Sequence, residues 1–234
     1  MYGKYKLRDL NISVRGLRIW SEFEDFYRYR RVLENSEIEK IISKDSEIII
    51  NPIEPVNLPK GITNYLFIDF EKPIVIEPDS TTEVFTTFPI EIGVFVCKDE
   101  TLEDIDIFSF VKPKYALYGD PKGGKIARYW KTRFFGKIPQ LDPLEMGVMK
   151  LRIYNLTNSW CEVSKAVFDV YGMKIYYNEK LVSSIAEMKI HSKKVAETNF
   201  IDEPLFKGME KAVELYVARK IPIMSLKMTM EWGI

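Results

Sequence analysis

The sequence predicts a mainly β protein, an antiparallel sandwich or barrel-like fold in two β-rich lobes, with one amphipathic helix near the C-terminus. Three observations predict it. β-Branched and aromatic residues gather in short runs, and Pro, Gly, Asn and Asp separate those runs. A hydrophobic content of 46% and an aromatic content of 13% over 234 residues supply enough apolar surface for one large domain or two small ones. Global disorder is excluded by the same figures.

In chain order, Ser36 to Lys44 carries Ile38, Ile41 and Ile42 at helical spacing and reads as a short helix or an extended segment. Strands are expected at Glu47 to Ile50, Tyr65 to Phe70, Ile74 to Glu77, Thr82 to Phe88 and Glu91 to Cys97. Pro52, Pro55, Pro59, Pro73, Pro78 and Pro89 fall at or between them, where a missing N–H costs the ladder least. Lys114 to Tyr118, Ile126 to Phe135, Val148 to Asn155, Cys161 to Tyr171, Lys174 to Tyr177 and Ile185 to Ile190 continue the pattern. Lys137 to Gly147, with Pro139 and Pro143, reads as a linker, giving lobes 1–138 and 139–234.

The expected helix runs over 203–220. Asp202 is the N-cap candidate, Glu203 and Pro204 occupy the first turn, and Leu205, Met209, Ala212, Val213, Tyr216 and Val217 share one face. Arg219 and Lys220 suit its C-terminal dipole, and Pro222 stops it. Met224, Leu226, Met228, Met230 and Trp232 then alternate with polar residues as a half-buried terminal strand.

Charge balance bounds the partners. Thirty-four Lys and Arg face 34 Asp and Glu, so no global field draws the chain to nucleic acid, a membrane surface or an acidic substrate. Apolar runs stop short of the ~18 residues that a membrane span needs, and the charged N-terminal stretch lacks a secretion-signal core. The expected setting is cytoplasmic, without membrane insertion. Cys97 and Cys161 are too few for a disulfide framework and read as small buried thiols, with a single bridge between them as the alternative. One glutamine amid abundant Ile, Lys and Glu fits a thermophilic source.

Chemistry-bearing motifs are sparse. Gly119-Asp120-Pro121-Lys122-Gly123-Gly124-Lys125 has P-loop spacing, but Ile126 replaces the magnesium-binding hydroxyl and a strand follows instead of a helix. A hairpin turn is the simpler reading, with a looser anion nest at Gly123 and Gly124 as the functional one. Residues 112–137 hold eight bases against one acid, interleaved with Tyr115, Tyr118, Tyr129, Trp130, Phe134 and Phe135. Such a surface suits single-stranded nucleic acid, yet bases and aromatics share both strand faces, and an acidic stretch at Asp69 to Asp106 could neutralise it. Asp99, Glu100, Glu103, Asp104 and Asp106 lack the order of a calcium loop and read as a solvated edge. His191 is the only histidine and has basic neighbours, so no nucleophile–histidine pair, metal site or cofactor is assigned.

Two candidate surfaces remain. A ligand site would use Gly123, Gly124, Lys125, Arg128 and Trp130, with carboxylates such as Asp120 as acid or base if the protein is an enzyme. An interface with a protein partner or a second copy would use Trp20, Tyr27, Arg28, Tyr29 and Arg30, residue types enriched at hot spots.

Met1-Tyr2-Gly3-Lys4-Tyr5, Tyr27-Arg28-Tyr29-Arg30-Arg31 and Phe85-Thr86-Thr87-Phe88-Pro89-Ile90-Glu91-Ile92-Gly93-Val94-Phe95 together resemble DUF432, an archaeal family of uncharacterised proteins. The resemblance covers most of the chain and implies an archaeal cytoplasmic setting; it carries no activity onto any residue. The expectation that follows is a non-enzymatic β-rich binding or interaction protein, because the usual marks of catalysis are missing. A phosphate- or sugar-like ligand near 119–128 and single-stranded nucleic acid on 112–137 are the alternatives, and overall neutrality argues against the second.

Overall fold

The structure, a computed structural model, describes residues 1–99, 101–219 and 227–234. Its strands, in chain order, begin with β1 (Gly3–Lys6), β2 (Asn11–Val14), β3 (Leu17–Phe23), β4 (Tyr27–Leu33), β5 (Ser36–Ile42), β6 (Glu47–Ile53) and β7 (Tyr65–Ile76). They continue with β8 (Ser80–Pro89), β9 (Glu91–Lys98), β10 (Thr101–Phe108), β11 (Tyr115–Tyr118), β12 (Lys125–Thr132), β13 (Met146–Asn155) and β14 (Cys161–Asp169). The last are β15 (Tyr176–Tyr177), β16 (Val182–Ile190), β17 (Ala196–Ile201), β18 (Glu210–Lys211) and β19 (Met228–Met230), and the described residues hold one α-helix, α1 (Leu215–Ala218).

These strands build four sheets in two layered lobes. In the first lobe the meander β2-β3-β4-β5 packs on β1-β6-β9-β10 around Leu7, Ile19, Tyr29, Ile48, Val94 and Phe108. In the second, β11-β12-β7-β14 packs on the branched sheet of β8, β13, β15, β16, β17, β18 and β19 around Leu66, Ile68, Met149, Leu151, Phe168 and Met188. Alternating burial explains the register. In β13 the buried Leu151 and Ile153 alternate with Lys150 and Arg152, whose cations pair with Glu83 on β8.

Mainly β and sandwich-like is therefore the architecture. No sheet among the described residues closes into a barrel, and two pairs, β12–β7 and β13–β16, run parallel within otherwise antiparallel sheets. Tyr65–Ile76 is one strand straight through Pro73, and Ser36–Ile42 is the strand β5 rather than a helix. The lobes do not divide the chain at 138/139. β7 and β8 pair with β14 and β13 in the second lobe, while β9 and β10 return to the first. The chain therefore crosses between lobes at 54–64, at Ile90 and again after β10. The expected linker is itself pinned: Arg15, in the β2–β3 turn, pairs with Asp142 and with Glu145.

The C-terminal helix is the main correction. Among the described residues of 203–220 only Leu215–Ala218 is α-helical; Asp202 spends its carboxylate on Tyr176 Oη (2.7 Å) and Lys211 Nζ (2.7 Å) instead of capping amides. Gly208 adopts φ +90°, which ends any helix there, and Glu210–Lys211 instead pairs with the edge of β15. Tertiary hydrogen bonding has overridden a 3.6-residue period. Lys220 and Pro222 lie outside the described residues, as do Met224 and Leu226 of the expected terminal strand; Met228 and Met230 are buried in β19 as the alternation required. Segment 212–219 acts as a strap: Leu215 joins Ile53 and Phe95 in a small cluster on the outer face of the first lobe's β6 and β9. Cys97 and Cys161 are free thiols. No helix among the described residues is long and apolar enough to cross a membrane.

Candidate ligand-binding site at the lobe junction

The stretch Ile53-Glu54-Pro55-Val56-Asn57-Leu58-Pro59 carries the chain from β6 to the second lobe. Its prolines cannot extend the ladder, so its backbone is satisfied by side chains instead. Glu91, the first residue of β9, accepts from Asn57 N at 2.8 Å and Leu58 N at 3.3 Å, while Tyr115 Oη donates to Leu58 O at 2.5 Å. Asn57 Nδ2 returns to Glu54 O at 2.7 Å. Farther along, Thr63 Oγ1 donates to Ile126 O and Asn64 O accepts from Val170 N. These contacts hold the loop rigidly between the lobes.

A cavity of about 360 Å³ opens beside it, lined by Glu54, Lys60, Asn64, Tyr171, Tyr216 and Arg219. The strap forms its far wall. Val213 N donates to Asn51 Oδ1, Lys174 pairs with Glu214, and the Tyr171 and Tyr216 rings meet at a tilt of 46° with centroids 5.5 Å apart. Arg219 reaches across to the first lobe, where its Nε and Nη2 bond Asp104 at 2.9 and 2.7 Å. Glu54, only 4% exposed, is the chemically unusual group. Burial drives its carboxyl up to about 8, with Glu91 and Glu214 adding repulsion against Arg219 and a backbone hydrogen bond. Burial likewise raises Glu91 to about 7, although the loop amides and Arg128 favour its charge. Burial opposes the charge on Asp104 too, but the Arg219 hydrogen bonds outweigh it and hold that carboxyl below its usual range. The arrangement offers a neutral carboxylic acid at the floor, a bound guanidinium on the wall and an exposed ammonium, Lys60, at the mouth.

The residues expected to bind ligand are not gathered. Residues 119–124 form the hairpin turn between β11 and β12, with no helix after it. Asp120 Oδ1 takes the amides of Lys122 and Gly123, at 2.7 and 2.8 Å, and Asp120 O takes that of Gly124, so the nest is already filled by its own carboxylate. Lys125 and Arg128 stand three apart on β12 and point to opposite faces. Lys125 Nζ sits 4.5 Å from the Tyr65 ring, whereas Arg128 is 1% exposed, with Nε and Nη1 lacking a hydrogen-bond partner among the described residues. Trp130 Nε1 donates to Thr87 Oγ1 at 3.0 Å. None of the eight bases of 112–137 forms an ion pair among the described residues; the acidic stretch meets this region through Tyr129 Oη and Asp69 (2.6 Å) and through Glu91, whose charge acts on Arg128.

The expected interface is split by strand alternation. Trp20, Arg28 and Arg30 share the outer face of the first lobe, where Arg28 and Arg30 pair with Glu39 and Arg18 lies over the Trp20 ring. Tyr29 is fully buried and bonds Asp106 at 2.9 Å, so it belongs to the core. Tyr27 is partly buried beside Phe23. Of the acidic cluster, Asp104 and Asp106 are paired with Arg219 and Arg31, Glu100 lies outside the described residues, and no group of three potential ligands among the described residues could hold a metal ion.

Sequence reasoning missed Glu54, Lys60, Tyr171 and Tyr216, and it assigned Arg219 to a helix end. The available signal was an acid enclosed by Ile53, Pro55 and Val56, which is an uncommon setting for a solvated carboxylate. No curated protein and no solved structure matches the chain. A family model described as "Protein of unknown function (DUF432)" matches residues 1–231, and with nearly the whole length covered, the chain belongs to that family.

Proposed function

We propose that this is a non-enzymatic binding protein that takes a small polar molecule into the junction cleft. One observation carries the reading: a buried carboxyl, Glu54, stands at the floor of a cavity of about 360 Å³ with Lys60 and Arg219 on its walls. That volume lies within the ~300–1,000 Å³ usual for ligand pockets, and a few convergent polar groups beside aromatic faces are what such pockets use for orientation. The test is a thermal-shift screen of the full chain against small neutral, anionic and cationic compounds, with Ile62→Trp as the variant that narrows the mouth. Ile62 lines the cavity and is exposed, so the substitution spares the core. A shift lost in that variant supports the proposal. No shift, or one indifferent to the variant, overturns it.

A second reading, contact with a protein partner or a second copy, is favoured by the edge strand β5, on which Ile41 is 65% exposed. A cytoplasmic setting in a thermophilic archaeon belongs to the same proposal, supported by two free thiols, a single glutamine and the family resemblance.

A further inference from the structure

Most of the polar groups around the cleft already have partners. Glu214 is engaged by Lys174, Lys211 and Tyr216, and Asp104 by Arg219, so neither anion is left to attract a cationic ligand. Asn57 Nδ2 and the Thr63 hydroxyl are spent on backbone carbonyls. Lys60 lines the mouth, is exposed and forms no ion pair among the described residues. Arg219 and Lys60 both act on Asp104, so this side of the cleft carries two cations to one anion, over a buried carboxyl.

Resting on the cleft reading, we propose that the ligand is a small oxyanion, a carboxylate or phosphate monoester, held between the Lys60 ammonium and the Glu54 carboxyl acting as donor. An ammonium supplies the charge, and a protonated acid supplies a directed hydrogen bond without repelling the guest. Glu54 meets Glu91 from β9, Glu214 from the strap and Arg219 from the end of α1, with Lys60 on its own loop. Burial above all, and then repulsion from Glu91 and Glu214, keeps the proton on Glu54 against the opposing pull of a backbone hydrogen bond and Arg219. Above about 8 the carboxyl ionises and would oppose an anion.

The experiment titrates the full chain calorimetrically with glycerol 3-phosphate, malonate and glycerol. Saturable binding of either anion, with glycerol inert, is the expected result, and the tighter of the two anions assigns phosphate or carboxylate. Lys60→Ala should weaken that anion at least ~10-fold, while Lys60→Arg retains it. Glu54→Gln replaces the protonated acid with an amide donor that cannot ionise, so its affinity for the anion should stay level as pH rises. One unit above its pKa, Glu54 is ~90% ionised, so the unsubstituted chain should lose about 10-fold in affinity while the Gln variant does not. A purely structural Glu54 would leave the two pH profiles parallel, which overturns the proposal. So does anion binding indifferent to Lys60→Ala. Binding of neutral compounds alone, abolished by Ile62→Trp, overturns the oxyanion while the cleft stands; failure of every compound removes both.

Discussion

Glu54→Gln tests the electrostatics of the junction without any ligand. In the folded chain the Glu54 carboxyl keeps its proton up to about 8, against an ordinary value of 4.5. Between those values the native state therefore binds more protons than the unfolded state, so stability must fall as pH rises through that window. The interval from 4.5 to about 8, at ~1.4 kcal/mol per unit, sets a ceiling of about 5 kcal/mol on the cost of ionising the group in place. Glu91, raised to about 7, contributes with the same sign, and the two carboxyls titrate as an interacting pair. A glutamine has the shape of the protonated acid and cannot ionise. Urea unfolding at intervals between pH 5 and 9 should find the variant within ~1 kcal/mol of the parent at the acid end. At the alkaline end it should be more stable by roughly 2–5 kcal/mol. A difference between variant and parent that stays constant across the range would refute the buried, proton-holding carboxyl.

Two further outcomes check the frame around the site. In the first lobe, Arg31 and Asp106 form an ion pair at 2.7 Å with side chains only 4% exposed, and Tyr29 completes it, so Asp106→Asn should cost ~3–5 kcal/mol in denaturant unfolding. Replacing both charges with leucine should recover most of that loss. In the second lobe, a Cβ added at Gly147 would run into the Phe88 ring across the β13–β8 pair, so Gly147→Ala should lower stability by ~1–3 kcal/mol. An unchanged midpoint would mean that the ring has room to move.

Much of the fold was legible because it is written in short-range patterns. Short β-branched and aromatic runs named the strands at Val148 to Asn155 and Ile185 to Ile190, and the Asp-Pro-Lys-Gly-Gly sequence named the β11–β12 turn, down to the helix that a P-loop would have needed and that does not follow it. Parity alone also separates Lys125 from Arg128, and Tyr29 from Arg28 and Arg30. The helix over 203–220 failed for the converse reason. Of its apolar face Met209, Ala212 and Tyr216 are buried while Val217 is exposed, because Gly208 and the open edge of β15 let the segment pack without forming that helix.

The site itself followed no local pattern. Glu54 is an unremarkable acid until β9 brings Glu91 beneath its loop and the strap brings Glu214, Tyr216 and Arg219 over it. Sequence by itself determined the class of the protein, its strands, its principal turn and the family to which it belongs, since periodicity, turn chemistry and family motifs are properties of neighbouring residues. Only the tertiary structure decided that the chain crosses between lobes before β7, after β8 and again after β10, and that the unusual carboxyl lies at the first of these crossings. Desolvation, which makes Glu54 unusual, depends on everything that surrounds a group in space, and those surroundings come from segments up to about 165 residues away along the chain.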